Sequence, residues 1–143
     1  MNKVAIVYWS GTGNTEKMAL CIAEGVREAG GEAVMLAPDE FSAARFSEFG
    51  AVAFGCPAMG AEQLEEDAVE PMFSGLESAL ASKKIALFGS YGWGDGQWMR
   101  DWCARAADAG ANLYDEAGLT VNEAPDASAQ EDCRELGRKL AAW

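Results

Sequence analysis

The chain has 143 residues, half of them hydrophobic, and 23 acidic against 11 basic side chains give a formal charge of −12. That length suits one domain, residues 1–143, with room for a single good core. The charge makes nucleic acid and anionic membrane surfaces poor partners and leaves cationic protein surfaces, or solubility alone, as its use. Histidine is absent, and Cys21, Cys56, Cys103 and Cys133 form no C-x-x-C pair. Zinc sites, iron–sulfur clusters and His-activated nucleophiles are therefore not expected, and the cysteines read as buried thiols. No apolar run approaches the roughly 18 residues of a membrane helix. Met1-Asn2-Lys3 leads straight into a strand-like segment, so no secretory signal and a cytoplasmic address are expected.

The first apolar run, Val4–Tyr8, predicts a strand, and "S-G-T-G-N-T" follows it at residues 10–15. Met18, Ile22 and Val26 then repeat at helical spacing until Gly30-Gly31. Ala33–Leu36 predicts the second strand, and Phe41–Phe49 has room for only a turn or two. Ala51–Phe54 is the third strand; Met72, Leu76 and Leu80 mark a helix with Pro71 in its first turn. Ile85–Phe88 is the fourth strand, followed by a helix with Trp98, Trp102 and Ala106 inward, ending at Gly110. A fifth, broken strand is expected through Ala111–Tyr114 and Leu119–Val121. The last helix carries Cys133, Leu136 and Leu140 and is entered through Pro125-Asp126.

Short unalternating strands between helices predict a doubly wound α/β fold with a five-stranded parallel sheet, order 2-1-3-4-5, and helices on both faces. Ligands of such sheets bind beyond the strand C-termini at the switch point. That rule selects three loops: Ser10–Thr15, Cys56–Asp67 and Ser90–Gln97.

The first loop has hydroxyls at Ser10, Thr12 and Thr15, the Asn14 amide, and turns at Gly11 and Gly13 before a helix N-terminus. These are neutral donors for a phosphate, although an ordinary strand-to-helix turn is the competing reading. It is no Walker loop, since Asn-Thr follows the second glycine, and no dinucleotide fingerprint, since the third glycine is missing. In the second loop the thioether of Met59 suits an aromatic face and Gly60 is free to rotate its peptide, unless this is a plain turn with Met59 in the core. In the third, Trp93 between glycines looks like a lid on a flat ligand. Phosphate at one end and a flat ring between Met59 and Trp93 describe flavin mononucleotide, FMN.

The runs "IVYWSGTGNTEKM", "GCPAMG" and "LFGSYGWGDGQWMRDW" together make the chain resemble a short-chain flavodoxin from Val4 to about Leu140. Flavodoxins are a standing example of the switch-point rule, so that placement belongs to the resemblance. The resemblance implies a low-potential electron carrier that passes single electrons between redox enzymes through FMN, by way of a neutral semiquinone and an anionic hydroquinone. It implies that Ser10, Thr12, Asn14 and Thr15 hold the phosphate, with Gly11 and Gly13 completing the nest. Pro57, Ala58 and Met59 line the inner ring face and ribityl chain. Trp93 covers the outer face, with Ser90 and Tyr91 leading into that loop, and Gly92 and Trp93 offer N–H donors to the pyrimidine edge. Glu62 reaches the ring N3–H. The Gly60 carbonyl accepts from flavin N5 after reduction.

No Lys or Arg lies in the three loops, whereas Glu62, Glu65, Glu66, Asp67 and Asp95 do. A unit charge 10 Å away contributes roughly 0.4–1.7 kcal/mol for ε from 80 to 20, about 20–70 mV per acid for a one-electron couple. The acids are thus expected to lower the second couple and to steer a monomeric carrier onto basic-surfaced redox proteins. A small FMN-dependent NAD(P)H or quinone reductase is the alternative, though no segment is spare for a substrate pocket. A receiver domain lacks its aspartate at the end of the third strand, and a non-redox phosphate-binding module is the remaining class.

Overall fold

The computed structural model describes residues 2–143. Strand β1, Lys3–Tyr8, leads into helix α1, Asn14–Glu28, and back to β2, Glu32–Leu36. Two 3₁₀ turns, Pro38–Glu40 and Ala43–Glu48, replace a crossover helix before β3, Ala51–Gly55. Helix α2, Val69–Leu76, is followed by β4, Lys84–Tyr91, and α3, Gln97–Asp108. The short strands β5, Asn112–Leu113, and β6, Leu119–Asn122, precede α4, Ala127–Ala142.

All strand pairings are parallel, in the order β2-β1-β3-β4, with β5 and β6 both on β4. The expected fifth strand is two pieces in one position: β5 pairs with Lys84 and Ile85, β6 with Phe88–Tyr91. The order 2-1-3-4-5 stands, with six strands in five places. Strand β4 runs three residues beyond the expected Phe88, so Ser90 and Tyr91 are strand residues and the third loop begins at Gly92.

The central strands are buried on both faces, which is why they read as continuous apolar runs. Ala5 and Val7 of β1 face a core with α2 and α3, built on Phe54, Phe73 and Trp102. Val4 and Ile6 face the other core, with α1 and α4. Trp98 and Trp102 are each 1% exposed, as their spacing predicts. The stripe of α2 differs from its prediction. Met72 is only half-buried, and Val69, Phe73 and Leu76 turn inward. The helix ends at Leu76, and a 3₁₀ turn over Glu77–Ala79 delivers Leu80 to the core. Phe73 wins the position because its ring packs edge-on against both Phe54 and Trp102, at 5.6 Å in each case.

Helix α4 begins where Pro125-Asp126 predicts. Asp126 is its N-cap, and Oδ1 accepts from the Ala129 N–H at 2.8 Å. Replacing Asp126 with Ala is expected to lower stability by about 0.5–2 kcal/mol. Urea unfolding of the apoprotein checks this: the midpoint falls and the slope is unchanged.

Candidate functional site

Because every strand is parallel, β1, β3 and β4 deliver their following loops to one edge of the sheet. A cleft of about 240 Å³ lies there, lined by Trp9, Gly11, Thr12, Asn14, Pro57, Ala58, Met59, Ser90, Tyr91, Gly92 and Glu123. Residues from all three expected loops meet in it.

At the first loop, Gly13 is the N-cap of α1 with φ 101, a left-handed turn that glycine alone adopts freely. The Ser10 hydroxyl oxygen accepts from the N–H groups of Gly13 and Glu16, each at 3.2 Å, which ties the loop to the helix start. Among the described residues the N–H groups of Gly11, Thr12, Asn14 and Thr15 have no protein acceptor. Together with the Thr12 and Asn14 side chains they are uncharged donors beside a helix N-terminus, an arrangement suited to an anion. Thr15 sits deeper than the phosphate role implies. It is 1% exposed, its hydroxyl meets the Ser90 hydroxyl at 3.3 Å, and its Oγ1 accepts from the Ser90 N–H at 3.4 Å.

The second loop is a tight turn. Met59 and Gln63 exchange N–H···O bonds of 2.9 and 3.0 Å, with Gly60 at φ 46 and Glu62 at φ 54 between them. The Gly60 carbonyl accepts no hydrogen bond among the described residues, and a Cβ on Gly60 would meet nothing within 4 Å. Two carboxylates fasten the loop. Glu62 Oε1 accepts from the N–H groups of Gly96 and Gln97 at the start of α3, at 3.1 and 2.9 Å. Glu65 accepts from Asp67, Ala68 and Val69 at the start of α2. Burial pushes the Glu65 carboxyl up, but the Val69, Ala68 and Asp67 N–H groups outweigh it and hold the group below the ordinary carboxylate value.

Trp93, in the third loop, is 70% exposed. The charges differ from the expectation drawn from the loops alone. Arg100, one turn into α3, donates to the Asp95 carboxylate at 2.9 Å and to its carbonyl at 3.0 Å. A cation therefore does reach the ring loop, and Asp95 is paired. Trp9 and Glu123 line the cleft but were not expected there. Trp9 was legible as the residue joining β1 to the loop; nothing local marks Glu123, which β6 brings to β4. The four cysteines are buried and free, as expected. Burial pushes the Cys56 and Cys133 thiols up to about 12, so they are no nucleophiles at neutral pH.

An anion nest and an apolar slot sharing one cleft suit a nucleotide with a phosphate at one end and a flat ring at the other, which puts the protein among the doubly wound flavoproteins. The family model for flavodoxin matches residues 6–137. The chain is 45% identical over 138 residues to a flavodoxin of Megasphaera elsdenii, covering 96% of this chain and 98% of that one. It is also 45% identical over 136 residues to a flavodoxin of Clostridium beijerinckii, covering 95% and 97%. The solution structure of two-electron reduced Megasphaera elsdenii flavodoxin superposes with a TM-score of 0.85, at 42% identity over 98% of this chain and 99% of that one. The chain belongs to the flavodoxin family. It is an FMN-binding electron carrier rather than an enzyme.

The lowered Glu65 carboxyl gives stability that is fully present above the ordinary carboxylate value and is lost as pH falls through the folded value. Replacing Glu65 with Gln is expected to flatten the acid limb of the stability curve, read as urea midpoint against pH. A limb as steep as the wild type's overturns the assignment.

Proposed function

We propose that the chain is a low-potential, monomeric one-electron carrier of the cytoplasm that docks transiently on basic-surfaced redox proteins. The observation that carries this reading is the single cleft that brings Gly11, Thr12 and Asn14 of the first loop together with Pro57, Ala58 and Met59 of the second and with Gly92. Among the described residues no helix is long and apolar enough to cross a membrane.

FMN supplies the one-electron transfer when bound; the chain's residues hold and tune it. The nest of Gly11, Thr12, Gly13, Asn14 and Thr15, with the Ser10 hydroxyl, takes the phosphate without a cation. Hydrogen bonds to a charged group contribute roughly 1.5–3 kcal/mol each, enough in number to offset a distant acidic surface. Pro57, Ala58 and Met59 wall the inner face and Trp93 the outer, where stacking adds ~0.5–1.5 kcal/mol beyond area burial. The free oxygen of Glu62 takes the ring N3–H while Oε1 holds α3. Gly60 offers its unpartnered carbonyl to N5 once that atom carries a proton. The reductase alternative gains no support, since the chain aligns nearly end to end with proteins named flavodoxin.

Two outcomes test the reading. An anaerobic spectroelectrochemical titration of the FMN-loaded protein is expected to give two separate one-electron potentials, and Gly60→Val is expected to narrow the gap between them. An unchanged gap sinks the Gly60 role, and unaided NAD(P)H oxidation favours the reductase. The second potential is also expected to rise with ionic strength, because screening weakens the field of Glu62, Glu66, Asp67 and Glu123 against the incoming electron. A salt-independent potential would leave stacking and desolvation in charge.

A further inference from the structure

Asn122 ends β6, outside all three loops of the cleft, and is exposed. Its side-chain amide donates to the Tyr91 carbonyl at 3.3 Å and to the Gly92 carbonyl at 3.1 Å. The N–H of Glu123 adds a bond of 2.8 Å to the Tyr91 carbonyl. The end of β6 thus grips two successive carbonyls where β4 gives way to the ring loop.

A planar trans peptide points its N–H opposite to its C=O, and none of the described peptide bonds is cis. The Tyr91 carbonyl shares its peptide with the Gly92 N–H, and the Gly92 carbonyl shares its own with the Trp93 N–H. Holding both carbonyls toward β6 turns both N–H groups away from it. Neither has a protein acceptor among the described residues, and Gly92 lines the cleft. Glycine leaves these peptides little stiffness of their own. The other side-chain holds on this loop, Arg100 on Asp95 and Glu62 on Gly96 and Gln97, lie further along it.

We propose that Asn122 is a positioning residue that sets the Gly92 and Trp93 N–H groups for the pyrimidine edge of the flavin. The inference rests on the FMN reading above. With Gly60 on the N5 side of the ring, the carbonyl left to these donors is the one at C2. Asn122 acts through two peptide planes, and no other residue of the described chain donates a side-chain hydrogen bond to either carbonyl.

The test titrates the apoprotein, as wild type, Asn122→Ala and the uncharged near-isostere Asn122→Leu, with FMN, riboflavin and 2-thio-FMN. Both variants are expected to bind FMN and riboflavin about tenfold more weakly, the scale of one or two neutral hydrogen bonds. The ratio of FMN to riboflavin affinity stays at the wild-type value, because the phosphate nest is untouched. Sulfur accepts more weakly than oxygen, so the wild type disfavours 2-thio-FMN, and that preference shrinks in both variants. Unchanged affinities, a shifted FMN-to-riboflavin ratio or a retained preference at C2 overturns the proposal. So does loss of folded apoprotein in both variants, which would make Asn122 structural. A wild type that binds no FMN fails the cofactor reading instead, so the two failures are distinguishable.

Discussion

Ser90 is the residue on which the site's geometry turns. It is 4% exposed near the end of β4, and it touches the other two cofactor loops at once. Its N–H and hydroxyl meet the Thr15 hydroxyl at the start of α1, and its carbonyl accepts from the Ala58 N–H at 3.0 Å. These bonds are made in a low-dielectric interior, where leaving any of the groups unpaired costs more than pairing gains. The loops after β1, β3 and β4 are therefore registered to a single buried point. Thr15 belongs to that registration, which explains why a hydroxyl expected to face phosphate is turned inward.

The rigidity of β4 follows from its place. It is paired with β3 on one side and with β5 and β6 on the other, so its end is held laterally up to Tyr91. The break between β5 and β6 matters here. The expected fifth strand does not run evenly along β4; its second piece pairs with the last four residues of β4, next to the cleft. A strand that ended at Phe88, as the apolar run suggests, would have left Ser90 without a ladder to hold it.

Most of the fold was legible because a parallel sheet covered on both faces demands continuous apolar runs, and those are hard to mistake. The loops at the sheet edge were legible for a related reason: Gly11, Gly13, Gly60 and Trp93 are residue types that a core or a regular element would not place there. The failures were tertiary. Met72 and Phe73 are both apolar on a short helix, and only the rings of Phe54 and Trp102 decide between them. Arg100 belongs to a helix, so counting charges by loop missed its reach back to Asp95. The holds of Glu62 on the start of α3 and of Glu65 on the start of α2 were not legible, because nothing local to either acid marks the helix it reaches.

That last point changes how the acidic surface works. The expected field at the ring came from five loop carboxylates, treated alike. Glu65 spends its charge on three backbone N–H groups, Asp95 is paired with Arg100, and one oxygen of Glu62 faces the dipole of α3. Glu66 and Asp67 remain exposed, and Glu123, just past the end of β6, joins them. On the proposed function, the acids that hold the loops and the acids that would oppose the second electron are thus largely different residues. Neutralising Glu66, Asp67 or Glu123 alters the field without loosening a loop. On the same proposal, neutralising Glu65 would loosen a loop with little change in field, and Glu62 alone of the loop acids would couple the two.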